Sequence, residues 1–292
     1  MKKILMLIML LCLALAGCGN DSKTDDNKLQ VTASFYPMGE FVRNIGKDKV
    51  NVTVLVPDGV EAHGWEPSSK DLNKLAKSRV FVYNGGVEPW AKQSLQALSD
   101  CDIMAVEAAE GLTLSDGRPD PHVWVSPKKA MTEVQRITEA LCRADSQNAD
   151  YYQQNSKAYI SELQKLDQQL ADVSKKAPKK VFVTAHAAFG HLADDYGLKQ
   201  VAVRGLSPEA EPTPAELKQI LKIMQQEDVK YIFFETLTDP KIAEVLAKEA
   251  GAEVAVLDPL EGLNEQGRKE NLTYLKIMQR NIDNLNTALN AK

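Results

Sequence analysis

The sequence is poor in cysteine, in histidine and in long apolar segments. Of its 292 residues four are cysteines and four are histidines, and the formal net charge is −5. An acidic chain lacks the basic surface that nucleic acids require, so we expect no nucleic-acid partner. Beyond the N-terminus no segment has the roughly 20 consecutive apolar residues that a membrane-spanning helix needs.

The N-terminus has the pattern of a lipoprotein signal. Lys2 and Lys3 precede an unbroken apolar run at 4–16, and small residues come directly before Cys18. Because that run is too short to span a bilayer, we interpret 1–17 as a signal peptide that is removed. Cys18 would then carry the lipid that anchors the exported protein to a membrane, with 18–28 as a flexible tether. Losing the two lysines with the signal changes the formal net charge from −5 to −7.

Two cysteines remain for the folded part of the chain, Cys101 and Cys142. A disulfide between them is conceivable in an extracytoplasmic protein. Isolated cysteines distant in sequence are as often buried as small apolar residues. The sequence leaves both alternatives open.

Length and the order of elements predict two α/β lobes with mostly parallel sheets. A mature chain of about 275 residues exceeds what one hydrophobic core usually serves. Short β-rich runs alternate with longer helical stretches in both halves, which is typical of parallel sheets. We therefore predict a first lobe over 29–144 and a second over 178–292. The predicted strands lie at 29–34, 51–55, 79–84 and 102–106 in the first lobe and at 180–184, 200–203, 231–234 and 253–257 in the second.

The segment 145–177 between the predicted lobes favours helix and contains neither glycine nor proline. Its apolar residues, Leu163, Leu166 and Leu170 among them, recur at spacings that give one buried stripe. A helix of about 33 residues would be about 50 Å long at 1.5 Å per residue. A dimeric coiled coil is the alternative, but the stripe is too short for sustained heptads. We therefore predict a monomer whose lobes are joined by one long, rigid helix.

Three histidines lie in loops that suit a ligand. His63 and His186 follow predicted strands, and His122 follows a loop that two prolines stiffen. Loops at the carboxyl ends of parallel strands are where open α/β sheets bind ligands. Imidazole suits zinc, which normally has four ligands in a tetrahedron. Asp258, which directly follows the last predicted strand, is the predicted fourth ligand, and the site would lie in the cleft between the lobes.

Other polar residues near these loops have two interpretations each. His191 follows His186 by five residues, and we interpret it as an ordinary helix residue, since a lone histidine is more often hydrogen-bonded than a ligand. Glu61 could approach the ion or hold a water, and Glu235 could orient a histidine, although solvated or capping carboxylates are the alternatives. A zinc hydrolase, which needs an open water position, is disfavoured because Asp258 would close that position.

Six segments of the chain carry a resemblance to a known family. They are ASFYP at 33–37, DGVEAHGWEPS at 58–68, DPHVW at 120–124, TAHAAFG at 184–190, GLSPEAEP at 205–212 and LDPL at 257–260. From about residue 28 to 289 the chain resembles the zinc- and manganese-type solute-binding lipoproteins of bacterial ABC importers, in their zinc-uptake (ZnuA-like) branch. The resemblance implies that His63 and His122 bind metal from the first lobe, and His186 and Asp258 from the second.

The resemblance also indicates which metal is carried and for what purpose. In manganese-type members the position of His186 is usually a glutamate, so the histidine here favours Zn²⁺, with Mn²⁺ still possible. The family captures the ion outside the membrane and delivers it to a permease that an ATPase powers. Such a protein is not an enzyme. A manganese-preferring or mixed-metal binding protein and, further off, a surface adhesin are the alternatives that the sequence leaves open.

Overall fold

The computed structural model describes residues 28–209 and 211–291. The predicted signal peptide at 1–17, Cys18 and all of the predicted tether except its last residue lie outside the described residues, so the lipid anchor stays a prediction. Between residues 28 and 291, leaving out residue 210, no helix is long and apolar enough to cross a membrane.

The first lobe is a four-stranded parallel sheet flanked by helices. Its strands are β1 (Leu29–Ala33), β2 (Val50–Val54), β3 (Val80–Tyr83) and β4 (Met104–Glu107), in the order β2-β1-β3-β4. Its helices are α1 (Tyr36–Gly46), α2 (Ser69–Leu75), α3 (Trp90–Ala97) and α4 (Pro127–Ala144). Every residue of β3 is buried, because helices cover both faces of a parallel sheet.

One long helix, α5 (Ala149–Lys176), follows the first lobe. It starts later than the predicted 145–177, because α4 ends at Ala144 and a 3-10 turn, Ser146–Asn148, separates the two helices. Its 28 residues give a length of about 42 Å. Leu163, Leu166 and Leu170 of the predicted stripe are buried, and the helix packs against α4 and α1.

The second lobe repeats the topology of the first. Its strands are β5 (Val181–Thr184), β6 (Lys199–Ala202), β7 (Tyr231–Phe234) and β8 (Glu253–Val256), all parallel, in the order β6-β5-β7-β8. Its helices are α6 (Gly190–Asp195), α7 (Pro214–Gln226), α8 (Lys241–Ala250), α9 (Glu265–Lys269) and α10 (Tyr274–Asn290). Helix α10 packs on α5, so α5 contacts both lobes and joins them.

Buried side chains also link the lobes directly. The Tyr274 hydroxyl, at the start of α10, donates to the Trp124 carbonyl at 2.6 Å, and the Trp124 indole donates to the Pro259 carbonyl at 2.6 Å. Tyr274 and Trp124 belong to one apolar cluster that runs through both lobes. The predicted fold class, two parallel α/β lobes joined by one long helix, is confirmed. Cys101 and Cys142 are both free thiols.

Candidate metal centre

Four side chains from four different loops meet between the lobes. His63 lies in the loop after β2, and His122 lies in the loop after β4, directly before the 3-10 turn Val123–Val125. His186 follows β5, and Glu261 follows β8. Each lobe contributes two of them from the carboxyl ends of its strands, which is the edge where parallel sheets bind ligands.

The distances among these four groups suit one small ion. His63 Nε2 lies 3.1 Å from His122 Nε2 and 3.1 Å from Glu261 Oε1. Glu261 Oε1 lies 3.4 Å from His122 Nε2 and 3.6 Å from His186 Nε2. One ligand atom from each residue lies within 4.8 Å of all the others. Zinc bonds of about 2.0–2.1 Å in a tetrahedron give edges of about 3.3 Å, so the spacing fits tetrahedral zinc.

Each of the two most buried histidines has a carboxylate behind it. Asp120 Oδ1 lies 2.9 Å from His122 Nδ1 and accepts the His122 backbone N–H at 2.9 Å. Glu235 Oε1 lies 2.6 Å from His186 Nδ1 and accepts the His186 backbone N–H at 3.1 Å. A carboxylate at Nδ1 fixes the ring orientation and turns Nε2 toward the ion. In the structure Glu235 is therefore placed where it can orient His186.

Glu61 contacts the backbone of the His63 loop. Its carboxylate accepts the backbone N–H of His63 at 3.0 Å and that of Gly64 at 3.2 Å. Burial raises the pKa of Glu61, and the nearby Glu261 charge adds to that effect. The structure thus places Glu61 beside the group of four, where it shapes the loop that presents His63.

The charges within the group are strongly coupled. Burial disfavours the charged form of Glu261, but the three imidazoles, which lie 3.1–3.6 Å from its Oε1, outweigh that effect and hold the pKa of Glu261 well below its usual range. Burial alone would lower the pKa of His186, but the adjacent carboxylates of Glu235 and Glu261 raise it to about 10. The pKa of His122 is also raised, since hydrogen bonds to Asp120 and Glu261 outweigh burial. Without an ion, protons on imidazole compensate the buried carboxylate.

The structure does not bring Asp258, the predicted fourth ligand, into the group. One of its carboxylate oxygens accepts the Leu260 backbone N–H at 2.8 Å, and the other accepts the Thr236 hydroxyl at 2.9 Å. The Asn281 side chain bonds both the N–H and the carbonyl of Asp258. Burial raises the pKa of Asp258 to about 6. In the structure Asp258 therefore lies outside the group and braces the loop that delivers Glu261.

The reason for this placement is the course of the chain after β8. Leu260 has a positive φ of 60°, an uncommon conformation for a residue with a side chain. Asp258, before the turn, points to Thr236 of the second lobe, and Glu261, directly after it, points into the cleft. The sequence shows two acids in this loop, and only the turn geometry decides between them. Glu261 was therefore missed because Asp258 is the first acid after the strand.

His191 lies outside the group of four but is not an ordinary helix residue. It is completely buried on α6, with Nε2 2.9 Å from the Asp120 carbonyl oxygen and Nδ1 2.6 Å from Lys129 Nζ. No local pattern predicts these contacts, because Asp120 and Lys129 belong to the first lobe and are 71 and 62 residues away.

The group has one side that reaches solvent. The His63 side chain is 10% exposed, whereas those of His122 and His186 are fully buried. His63 lines a cleft of about 540 Å³ that opens between the lobes and also includes Glu107, Glu110 and Leu206. On the buried side, the Trp124 ring lies 5.5 Å from that of His122. An ion therefore reaches the group from the side of His63.

Two-lobed α/β chains with a metal group in the interlobe cleft form the metal-ion class of solute-binding proteins, and the fold and the group of four define that class here. Comparison with protein families makes the assignment specific. Residues 31–288 match the family described as zinc-uptake complex component A, periplasmic (ZnuA), and the chain belongs to this family. The family predicted from the sequence motifs is thereby confirmed, with zinc as its ion.

Individual relatives agree with the family. The chain is 40% identical to the high-affinity zinc uptake system protein ZnuA of Bacillus subtilis, over 96% of this chain and 95% of that protein. It is 37% identical to the zinc-binding lipoprotein AdcA of Streptococcus pneumoniae over 97% of this chain, but it spans only 60% of that longer protein. The crystal structure of the Zn(II)-bound ZnuA-like domain of pneumococcal AdcA superposes with a TM-score of 0.81 at 38% identity, covering 90% of this chain and 99% of that domain.

Proposed function

We propose that this protein captures Zn²⁺ outside the cytoplasmic membrane with His63, His122, His186 and Glu261, and delivers the ion to the permease of an ABC importer. The observation that carries the proposal is the set of 3.1–3.6 Å separations between the Nε2 atoms and Glu261 Oε1. These separations match the edges of a tetrahedron around zinc. Lipid attachment at Cys18 after removal of 1–17 would keep the protein at the membrane that holds the permease.

The donor set supports zinc over manganese. Three imidazole nitrogens and one carboxylate oxygen make a borderline-soft site, whereas manganese prefers more oxygen ligands. With neutral imidazoles and one carboxylate, the loaded group would have a net charge of +1. The carboxylates of Asp120 and Glu235 face the outer nitrogens of two ligands and raise their basicity, which strengthens metal binding.

The same donor set supports binding and release over catalysis. A catalytic zinc site keeps one of its four positions open for water or substrate, and here four protein groups supply all four positions. The family is one of solute-binding proteins, which agrees with a protein that holds its ion without changing it.

The test is a competitive metal titration of the chain from residue 19 onward, with elemental analysis of the bound fraction. We expect one zinc per chain at submicromolar affinity and much weaker binding of manganese. Equal affinity for manganese would move the protein to the mixed-metal alternative. No zinc binding would refute the site. His63→Ala should weaken zinc binding by more than about 100-fold, which exceeds the loss caused by removing a residue that only hydrogen-bonds a metal ligand.

A further inference from the structure

A chain of polar contacts runs from α4 of the first lobe through the second lobe and back to the loop of His122. It starts at Lys129 on α4, passes through His191 on α6, and reaches Asp120, whose carboxylate holds His122. Lys129 and Asp120 belong to the first lobe and His191 to the second. The path therefore crosses the lobe interface twice within three residues.

The protonation of His191 follows from its partners. The Lys129 ammonium can only donate, so His191 Nδ1 accepts this hydrogen bond with its lone pair. The Asp120 carbonyl oxygen can only accept, so His191 Nε2 donates to it. Both ring nitrogens of a neutral imidazole are thus used. Because its one lone pair is taken by Lys129, His191 has none left for a metal ion.

Asp120 is held closely from the side of α6. A side chain in place of Gly190, next to His191, would collide with the Asp120 carboxylate. The Asp120 carbonyl oxygen accepts a hydrogen bond from His191 Nε2. Asp120 Oδ1 accepts the backbone N–H of His122 and lies beside His122 Nδ1. The second lobe therefore fixes the residue that sets the ring orientation of His122.

We propose that His191 is a positioning residue for the zinc site: through Asp120 it holds the His122 ring in the geometry that binds the ion. This inference rests on the proposed function. Loss of the contact leaves the four ligands in place but frees the loop that carries His122. Outer partners of metal ligands contribute about 10- to 100-fold to affinity, and we expect His191 to fall in that range.

The test uses His191→Phe in the purified full chain, because phenylalanine keeps the ring volume and removes both hydrogen bonds. We expect the zinc Kd to rise about 10- to 100-fold, with a change in the visible absorption of the Co²⁺-loaded protein, which reports ligand geometry. His191→Gln supplies one amide donor and one carbonyl acceptor, and we expect it to return the zinc Kd to within about threefold of the original chain.

A matched control is Ser115→Ala. Ser115 also links the first lobe to α6: its hydroxyl donates to Asp194 Oδ1 at 2.5 Å, the bond that alanine removes, and its backbone N–H donates to Asp194 Oδ2 at 2.8 Å. Neither bond involves Asp120. We expect its zinc Kd to be unchanged. An equal loss in this variant would mean that any tie between the lobes matters, and it would overturn the specific role of His191.

A purely structural role of His191 would give a different result. In that case His191→Phe lowers the melting temperature of the ion-free protein while the zinc Kd and the Co²⁺ spectrum stay unchanged, and the inference is refuted. Should His191→Phe fail to fold, His191→Leu, which is smaller and also removes both hydrogen bonds, takes its place, and a zinc Kd unchanged in that variant also refutes the inference. Failure of the unsubstituted chain to bind zinc would instead overturn the proposed function.

Discussion

The choice between two carboxylates in one loop gives the sharpest prediction. Glu261→Gln keeps the length of the side chain but removes the only negative charge in the group of four. Its Oε1 lies within 3.1–3.6 Å of the ligand nitrogen of each histidine. Asp258→Asn is the matched control, since Asp258 lies three residues earlier and contacts Thr236 and Leu260 in place of the group.

The expected magnitude follows from the position of each carboxylate. Losing a residue that hydrogen-bonds a metal ligand lowers metal affinity by about 10- to 100-fold. Loss of the charged ligand itself should therefore raise the zinc Kd by more than about 100-fold, or about 2.7 kcal/mol. With zinc well above Kd, the stabilisation by bound zinc falls by the same amount. At roughly 2–4 °C per kcal/mol for a protein of this size, the zinc-induced rise in Tm should shrink by roughly 5–10 °C. Asp258→Asn should cost at most about tenfold in affinity.

Two measurements check this prediction: competition with a chelator of known zinc affinity, and thermal unfolding with and without zinc. The difference between the two melting temperatures removes any effect of the substitution on the ion-free protein. A larger loss for Asp258→Asn than for Glu261→Gln would show that the loop rearranges around the ion, and it would refute the assignment of Glu261.

Three further outcomes are expected. His186→Glu should abolish tight zinc binding without creating a manganese site, because Glu235 would then face a second buried carboxylate. Adding Glu235→Gln to that variant should recover manganese binding in a metal titration. Manganese binding by the single variant would contradict this prediction. Zinc affinity should keep rising between pH 6.5 and 9, because the pKa of His186 is raised to about 10 and zinc must displace its proton. Titration calorimetry in two buffers should detect proton release on zinc binding at pH 7. A zinc affinity that is constant above pH 6.5 would argue against this prediction. Leu163 on α5 is fully buried, so Leu163→Ala should lower the free energy of unfolding by about 2–5 kcal/mol in denaturant titrations and leave the zinc Kd unchanged. Gln164→Ala, on the exposed face of the same helix, should alter neither quantity.

Much of the fold followed from local patterns in the sequence. The alternation of short apolar runs with helical stretches predicted all eight strands within a few residues of their positions, because a parallel sheet covered by helices needs such runs. The absence of proline and glycine together with one apolar stripe predicted α5. Its predicted first residues instead form the turn between α4 and α5, where the Asp145 carboxylate accepts the Asn148 amide at 2.8 Å and the Tyr152 hydroxyl at 2.6 Å.

The sequence by itself determined that His63, His122 and His186 would be presented at the ends of parallel strands, because strand ends and loop residues are local features. Only the tertiary structure decided the rest of the site. In the loop after β8, Thr236 and the Leu260 N–H hold Asp258 away from the group, whereas Glu261, past the positive φ at Leu260, reaches it. The approach of α6 to the first lobe places His191 against Asp120. Both are consequences of how distant segments pack, and a linear pattern of residue types does not contain the distances that packing creates.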